Sequence, residues 1–194
     1  LFKYINEDSS PALIKTAVAH VEFEALHPFK DGNGRIGRMI ITLMLWSSGQ
    51  ISSPHFYISG YLEENKDLYI DTMRNVSANN DWASWCSFFL KATESQAIKN
   101  LEIANNIKDL YEDMKMELST LLASKWSAQV LDFLFTHPFF RNNKFTQNSG
   151  IPAATANKIT RILVENDILK VHEEASGRRA AMYSFERLLE KVRV

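Results

Sequence analysis

The chain has 194 residues with 45% apolar residues, including 12 Phe and 4 Trp, which is enough to fill ordinary cores and excludes a disordered chain. Seven Gly and five Pro without a repeat exclude collagen-like and low-complexity architectures and disfavour a many-turned sandwich or barrel. The net charge of -1 hides a split: residues 1–120 hold 11 Lys and Arg against 16 Asp and Glu (net -5), whereas 121–194 hold 11 against 7 (net +4), so a polyanion would meet the tail rather than the body.

In chain order, Ser9-Ser10-Pro11 offers a helix start, and Ile14, Val18, Val21 and Ala25 recur at helical spacing up to Leu26. Pro28 ends that helix at His27. A loop follows to Gly34, then a helix from Gly34 or Arg35 to Ser48, closed by Gly49. Even its apolar run Met39–Trp46 is too short to span a membrane. Further helices are predicted over 59–75, 81–92 and 94–122. Cys86 is the single cysteine, so it forms no intramolecular disulfide; within Trp85-Cys86-Ser87-Phe88-Phe89 it reads as a buried structural thiol. A reducing cytoplasm is the expected compartment. The chain starts at Leu1 without a leader pattern and reads as a fragment of a longer protein.

Beyond residue 122 the pattern changes. Short helices are predicted at 128–136 and 147–149 and a longer one at 153–166, with Gly150-Ile151-Pro152 turning between the last two. Two strands, 168–172 and 180–185, flank the basic turn Ala175–Arg179. Three helices and a hairpin make a winged helix. The predicted organisation is thus a helical domain over 1–122 and a winged-helix domain over 123–194, joined by the long helix.

The chemistry concentrates in His27-Pro28-Phe29-Lys30-Asp31-Gly32-Asn33-Gly34-Arg35-Ile36-Gly37-Arg38. Asp31–Gly34 is a loop opening onto a helix start, where backbone N–H groups and the positive end of the helix dipole can hold an anion. Arg35 and Arg38, three apart on the first turns of that helix, can pair with phosphate oxygens. Asp31 adds a hard carboxylate of the kind that helps hold Mg²⁺ on nucleotide phosphates, and His27 is a side chain able to take a proton near neutral pH. A nucleoside triphosphate with Mg²⁺ is the implied ligand. The chain supplies its own control: His137-Pro138-Phe139-Phe140-Arg141-Asn142-Asn143 repeats the opening tripeptide without the carboxylate or the glycines and reads as structural.

This stretch resembles the signature loop of the Fic family, His-x-Phe-x-Asp/Glu-Gly-Asn-Gly-Arg-x-x-Arg, at every specified position. Ala19–Glu24 and Tyr57–Leu62 also resemble Fic proteins, as does a C-terminal winged helix. The resemblance implies a mainly α fold, a Fic-type helical bundle followed by a small winged-helix (α+β) domain. It also implies protein adenylyltransferase activity, transferring AMP from ATP to a Ser, Thr or Tyr hydroxyl of a target protein. Position by position, it implies His27 as the base, Asp31 as the Mg²⁺ ligand, Gly32, Asn33 and Gly34 as the anion hole, Arg35 at the α/β-phosphates and Arg38 at the γ-phosphate. Tyr61, Asn65 and Tyr69 fall where the family often lines its nucleobase pocket, and Phe29 reads as a core anchor for the loop. Two family features are not expected within these 194 residues: the flap upstream of the signature, for which the 26 residues before His27 are too few, and the inhibitory Ser/Thr-x-x-x-Glu-Gly/Asn motif.

Two other functions stay open on the sequence. One is a DNA-binding regulator with a Fic-like nucleotide-sensing module, using Thr155, Asn157, Lys158, Arg161, Arg178 and Arg179 as DNA contacts. The other is a Fic enzyme that moves UMP, phosphocholine or phosphate, or removes AMP. A homo-oligomer is compatible with the sequence, and a membrane partner is not expected.

Overall fold

The computed structural model describes residues 1–7 and 9–192. It divides into two compact units, Leu1–Leu101 and Glu102–Val194. The division falls inside a helix and not at the predicted boundary near 122, because residues beyond 101, among them Met114 and Leu118, already belong to the second core.

Among the described residues, the regular elements of the first unit are all helices. It holds α1 (Phe2–Glu7), α2 (Ala12–Leu26), α3 (Asn33–Ser47), α4 (Ser59–Glu64), α5 (Lys66–Asn79) and the first half of α6 (Trp82–Leu122). Pro11 itself occupies the N-cap of α2, in place of a serine. At the other end of α3, Gly49 takes φ 72°, and Gln50 N–H returns to Leu45 O at 2.9 Å, which closes the helix where the glycine was expected to. The predicted helix over 59–75 is two helices. Asn65 leaves helical geometry (φ -117°, ψ 34°), and its side-chain amide donates to Tyr61 O at 2.9 Å, a local bond that competes with the helical ladder. Conversely, the predicted break near 93 does not occur. Thr93 stays helical, its hydroxyl donating back to Phe89 O at 2.9 Å, and α6 runs on for 41 residues, about 60 Å at the helical rise. The core packs Ala17, Val21, Ile41, Leu45, Trp85 and Phe89, each at most 3% exposed, and Trp85 Nε1 donates to Ala17 O at 2.9 Å. Full burial of aromatics of this size contributes about 2–3 kcal/mol each.

The second unit contains the rest of α6, then α7 (Ser127–Thr136), β1 (Phe139–Arg141), α8 (Asn142–Asn148), α9 (Ala153–Glu165), β2 (Lys170–Glu173), β3 (Met182–Ser184) and α10 (Glu186–Val192). The sheet is antiparallel in the order β1-β3-β2. The hairpin β2–β3 lies where two strands were predicted, though Ile168 and Leu169 lie buried ahead of it. The second helix begins at Asn142, five residues earlier than predicted, and β1 and α10 were not predicted. The core holds Val130, Leu134, Phe145, Leu163 and Phe185, each at most 1% exposed. Among the described residues no helix is long and apolar enough to cross a membrane. Cys86 is only partly buried, and burial raises its thiol pKa.

Candidate active site

α2 ends at His27, whose N–H donates to Phe23 O at 3.2 Å, and the residue adopts φ 43°, ψ 55°. This left-handed conformation is rare for a side-chain-bearing residue and is held here immediately before a proline. Backbone of this kind persists where its surroundings over-determine it, often at functional sites, and costs on the order of 1–3 kcal/mol. The imidazole is exposed.

From Pro28 to Gly32 the chain turns back to start α3. The clamp is Asn33, 2% exposed, whose Oδ1 accepts the Phe29 N–H at 2.9 Å and whose Nδ2 donates to Phe29 O at 2.6 Å. This overturns the expectation for Phe29. It is 50% exposed, with its ring 6.4 Å from Phe23, so the loop is anchored by a buried amide gripping the Phe29 backbone and not by the phenyl ring. A buried asparagine in the middle of a signature is the signal that would have identified the clamp, because its amide must find partners.

Gly32 is the N-cap of α3 at φ 83°, and no side chain caps the helix, which leaves its first-turn N–H groups to a ligand. Asp31 Oδ1 accepts the Gly32 N–H at 2.7 Å and Oδ2 lies 3.5 Å from Arg35 Nη2, both side chains being largely exposed. Arg38 folds back along α3, its Nη1 3.2 Å from where a Cβ on Gly34 would stand. His27, Lys30, Asp31, Gly32, Asn33, Gly34 and Arg35 line a cavity of about 290 Å³. His27 also borders a larger cleft of about 800 Å³ between α2 and α5, with Val21, Ala25, Ile70 and Met73 as its apolar wall and Glu24, Arg74 and Ser77 as its polar groups. Thus His27 stands between a cradle-like cavity at the start of α3 and an apolar cleft.

Tyr61, Asn65 and Tyr69 line neither cavity. Tyr69 is partly buried against the core, where its ring packs near His20, Trp85 and Phe88, its hydroxyl bonds His20 Nε2 at 2.9 Å, and burial raises its pKa. Tyr61 packs on Phe88, and Asn65 is spent on the junction between α4 and α5.

In the second unit, the residues singled out for DNA are unevenly available. Asn157 Oδ1 accepts from Asn142 Nδ2 at 2.7 Å, and Arg179 pairs with Glu173 at 3.1 Å. Lys158, Arg161 and Arg178 are exposed, and Thr155 is half-buried. Arg161 lines a cleft of about 620 Å³ with Glu165 and Glu174. Among the described residues no three His, Cys, Asp or Glu side chains gather as a metal site.

Comparison with known proteins agrees with the loop. Residues 1–45 match the model of the Fic/DOC family. A probable protein adenylyltransferase of Aquifex aeolicus (strain VF5) is 32% identical over 71 residues, which cover 37% of this chain and 20% of that protein. Protein adenylyltransferase fic-1 of Caenorhabditis briggsae is 37% identical over 49 residues, covering 24% and 10%. A Fido domain-containing protein of Dictyostelium discoideum is 36% identical over 66 residues, covering 34% and 41%. The chain therefore matches well under two thirds of the length of each relative. A crystal structure of a Fic family protein from Desulfovibrio desulfuricans G20 aligns over 94% of this chain and 52% of its own, at 18% identity and a TM-score of 0.49. The similarity is thus to the Fic/DOC family over residues 1–45, and over 71 and 49 residues to two proteins named as adenylyltransferases.

Proposed function

We propose that this chain carries the catalytic loop of a protein adenylyltransferase that moves AMP from ATP to a hydroxyl of a target protein. The observation that carries this reading is the uncapped first turn of α3, framed by His27 and Asp31 from the loop and by Arg35 and Arg38 from the helix. The names of the Aquifex and Caenorhabditis relatives support the choice of AMP.

In this reading the triphosphate lies in the cradle against the first-turn N–H groups, with Arg35 at the α/β-phosphates and Arg38 at the γ-phosphate. The cradle is sized for phosphates alone, so the nucleoside extends into the α2–α5 cleft that His27 shares with it, in place of the Tyr61, Asn65 and Tyr69 pocket first expected. His27 takes the proton of the acceptor hydroxyl. The hydroxyl oxygen then bonds to the α-phosphorus, and the bond to the bridging oxygen breaks to release pyrophosphate. The protein's work is largely positioning and charge stabilisation. One exposed carboxylate beside an anion cradle suits Mg²⁺, which takes few protein ligands and keeps phosphate and water oxygens; Asp31 would hold it, and it would neutralise phosphate charge.

We read the second unit as a winged helix, on its order of three helices and an antiparallel hairpin, and a cytoplasmic setting for the whole, on its single cysteine. Calorimetry with ATP and Mg²⁺ tests the cradle. Gly34→Glu fills it and Arg38→Ala removes an arm, so each lowers affinity about tenfold or more; affinities within twofold of the parent reject the assignment.

A further inference from the structure

α2 packs against α3 at Gly37, one turn beyond the cradle. His20 and Glu24, a turn apart on α2, both close on it: a Cβ on Gly37 would stand 2.1 Å from Glu24 Oε1 and 3.2 Å from His20 Cε1. Any other residue here would have to displace the Glu24 carboxyl and crowd the His20 ring. His20 is fully buried, and its Nδ1 lies 3.1 Å from Gly37 O. A carbonyl only accepts, so Nδ1 carries the proton and the Tyr69 hydroxyl donates to Nε2. This side of Gly37 is satisfied.

The Glu24 side is not. Its Oε1 is shut away from solvent and, among the described residues, accepts no hydrogen bond. A buried carboxylate oxygen without a donor is costly, and a native structure that keeps one has a use for it. Burial raises the pKa of this carboxyl, while Arg38 and, more weakly, His27 act against that rise. The positive charge of Arg38 acts in the same way on His20 and Tyr69. Among the described residues Arg38 forms no ion pair, and it leans over Gly34 toward the cradle. A guanidinium has five N–H donors in a rigid fork and can face a carboxylate and a phosphate at once.

We propose that Glu24 is a positioning residue whose carboxylate, seated on Gly37, aims Arg38 at the terminal phosphate of the bound nucleotide. The inference rests on reading the loop as a triphosphate site. Glu24 lies outside the signature, and its spacing of four from His20 and three from His27 places it where a partner for the second signature arginine can stand. Its role is distinct from binding, since it reaches the phosphate only through Arg38.

The test is a mutant cycle read by calorimetry with ATP and with ADP, in the presence of Mg²⁺, on the parent, Glu24→Gln, Arg38→Ala and the double variant. Glu24→Gln is expected to lower ATP affinity about tenfold and to leave ADP affinity within twofold, and to cost nothing further once Arg38 is Ala. Equal losses for ATP and ADP, or a loss that persists in the Arg38→Ala background, overturn the proposal and make Glu24 a packing residue. A second measurement needs no change at Glu24: carbon-13 NMR of its carboxyl in the ligand-free chain, where Arg38→Ala should raise the titration midpoint and an unmoved midpoint overturns the pairing. A parent chain that binds neither nucleotide refutes the triphosphate reading itself, a failure the NMR arm separates from failure of the Glu24–Arg38 pair.

Discussion

The tripeptide His-Pro-Phe occurs twice, and the two copies part company within a few residues. Both end a helix in the same way: His27 N–H donates to Phe23 O at 3.2 Å and His137 N–H to Phe133 O at 2.8 Å, a phenylalanine four residues back in each case. Yet His27 is exposed in a left-handed conformation, whereas His137 takes φ -133°, ψ 71°, lays its ring on Phe133 with centroids 4.7 Å apart, and has its Nδ1 shut away from solvent. After the first copy, Asp-Gly-Asn-Gly lets the chain double back and open α3. After the second, Phe139–Arg141 pairs with β3. The helices differ too: where α2 has His20 and Glu24 seven and three residues before its terminal histidine, α7 has the buried Val130 and Leu134. A shared tripeptide fixes how a helix stops, and the flanking residues decide whether the stop becomes a site.

The largest effect should come from breaking the two histidines in turn. His27→Ala is expected to lower AMP transfer by the intact protein about 10²- to 10⁴-fold, the usual worth of a general base, while ATP affinity holds within a few-fold. His137→Ala should leave transfer unchanged and cost about 1 kcal/mol of stability, a drop of a few degrees in Tm. Transfer of labelled AMP and a thermal melt read both; undiminished transfer by His27→Ala removes the base.

Much of this contrast was legible in sequence, because the signature is contiguous and its chemistry local. The helix ends at Leu26 and Gly49, the loop from His27 to Gly32 and the hairpin with its basic tip all follow from Pro, Gly and apolar spacing. What escaped was set by contacts distant in sequence. The three residues of β1 carry no period of their own and become a strand only through β3, and α1 and α10 are too short to show one. Phe29 looks like an anchor by type, but the anchoring falls to Asn33, whose amide reaches back four residues to the Phe29 backbone. Tyr69 looks like a pocket residue by position, and the buried His20 draws it inward.

His20 sharpens the comparison in a second way, through pH. Burial, with a smaller push from Arg38, holds its imidazole down at about 4 against an ordinary value of 6.5, and the Gly37 carbonyl opposes that only partly. As pH falls past 6.5 the unfolded chain takes up a proton that the folded chain refuses until about 4. The stabilisation from the neutral imidazole is therefore complete above about 6.5 and is lost progressively down to about 4, roughly 3 kcal/mol over the window. α7 has Val130 at the matching position and adds no such dependence. Denaturant melts between pH 7 and pH 4 should show this loss in the parent and a flatter profile in His20→Gln; parallel profiles would mean that His20 does not enter the pH dependence.

The smallest effect separates the two phenylalanines from the loops they belong to. Phe29 and Phe139 are 50% and 51% exposed, and each has a ring neighbour, Phe23 at 6.4 Å and His172 at 5.2 Å. A core Phe→Ala change costs about 3–5 kcal/mol because it leaves a cavity. A half-exposed ring leaves none, so only the lost ring contact and part of the buried area count, and each Ala variant should lose about 1 kcal/mol. Asn33→Ala should cost more than Phe29→Ala, since it strands the Phe29 N–H and C=O together with a buried amide's space. Chemical denaturation of the three variants decides the order. If Phe29→Ala proved as costly as a core phenylalanine, the ring and not the Asn33 amide would be what holds the loop over α3.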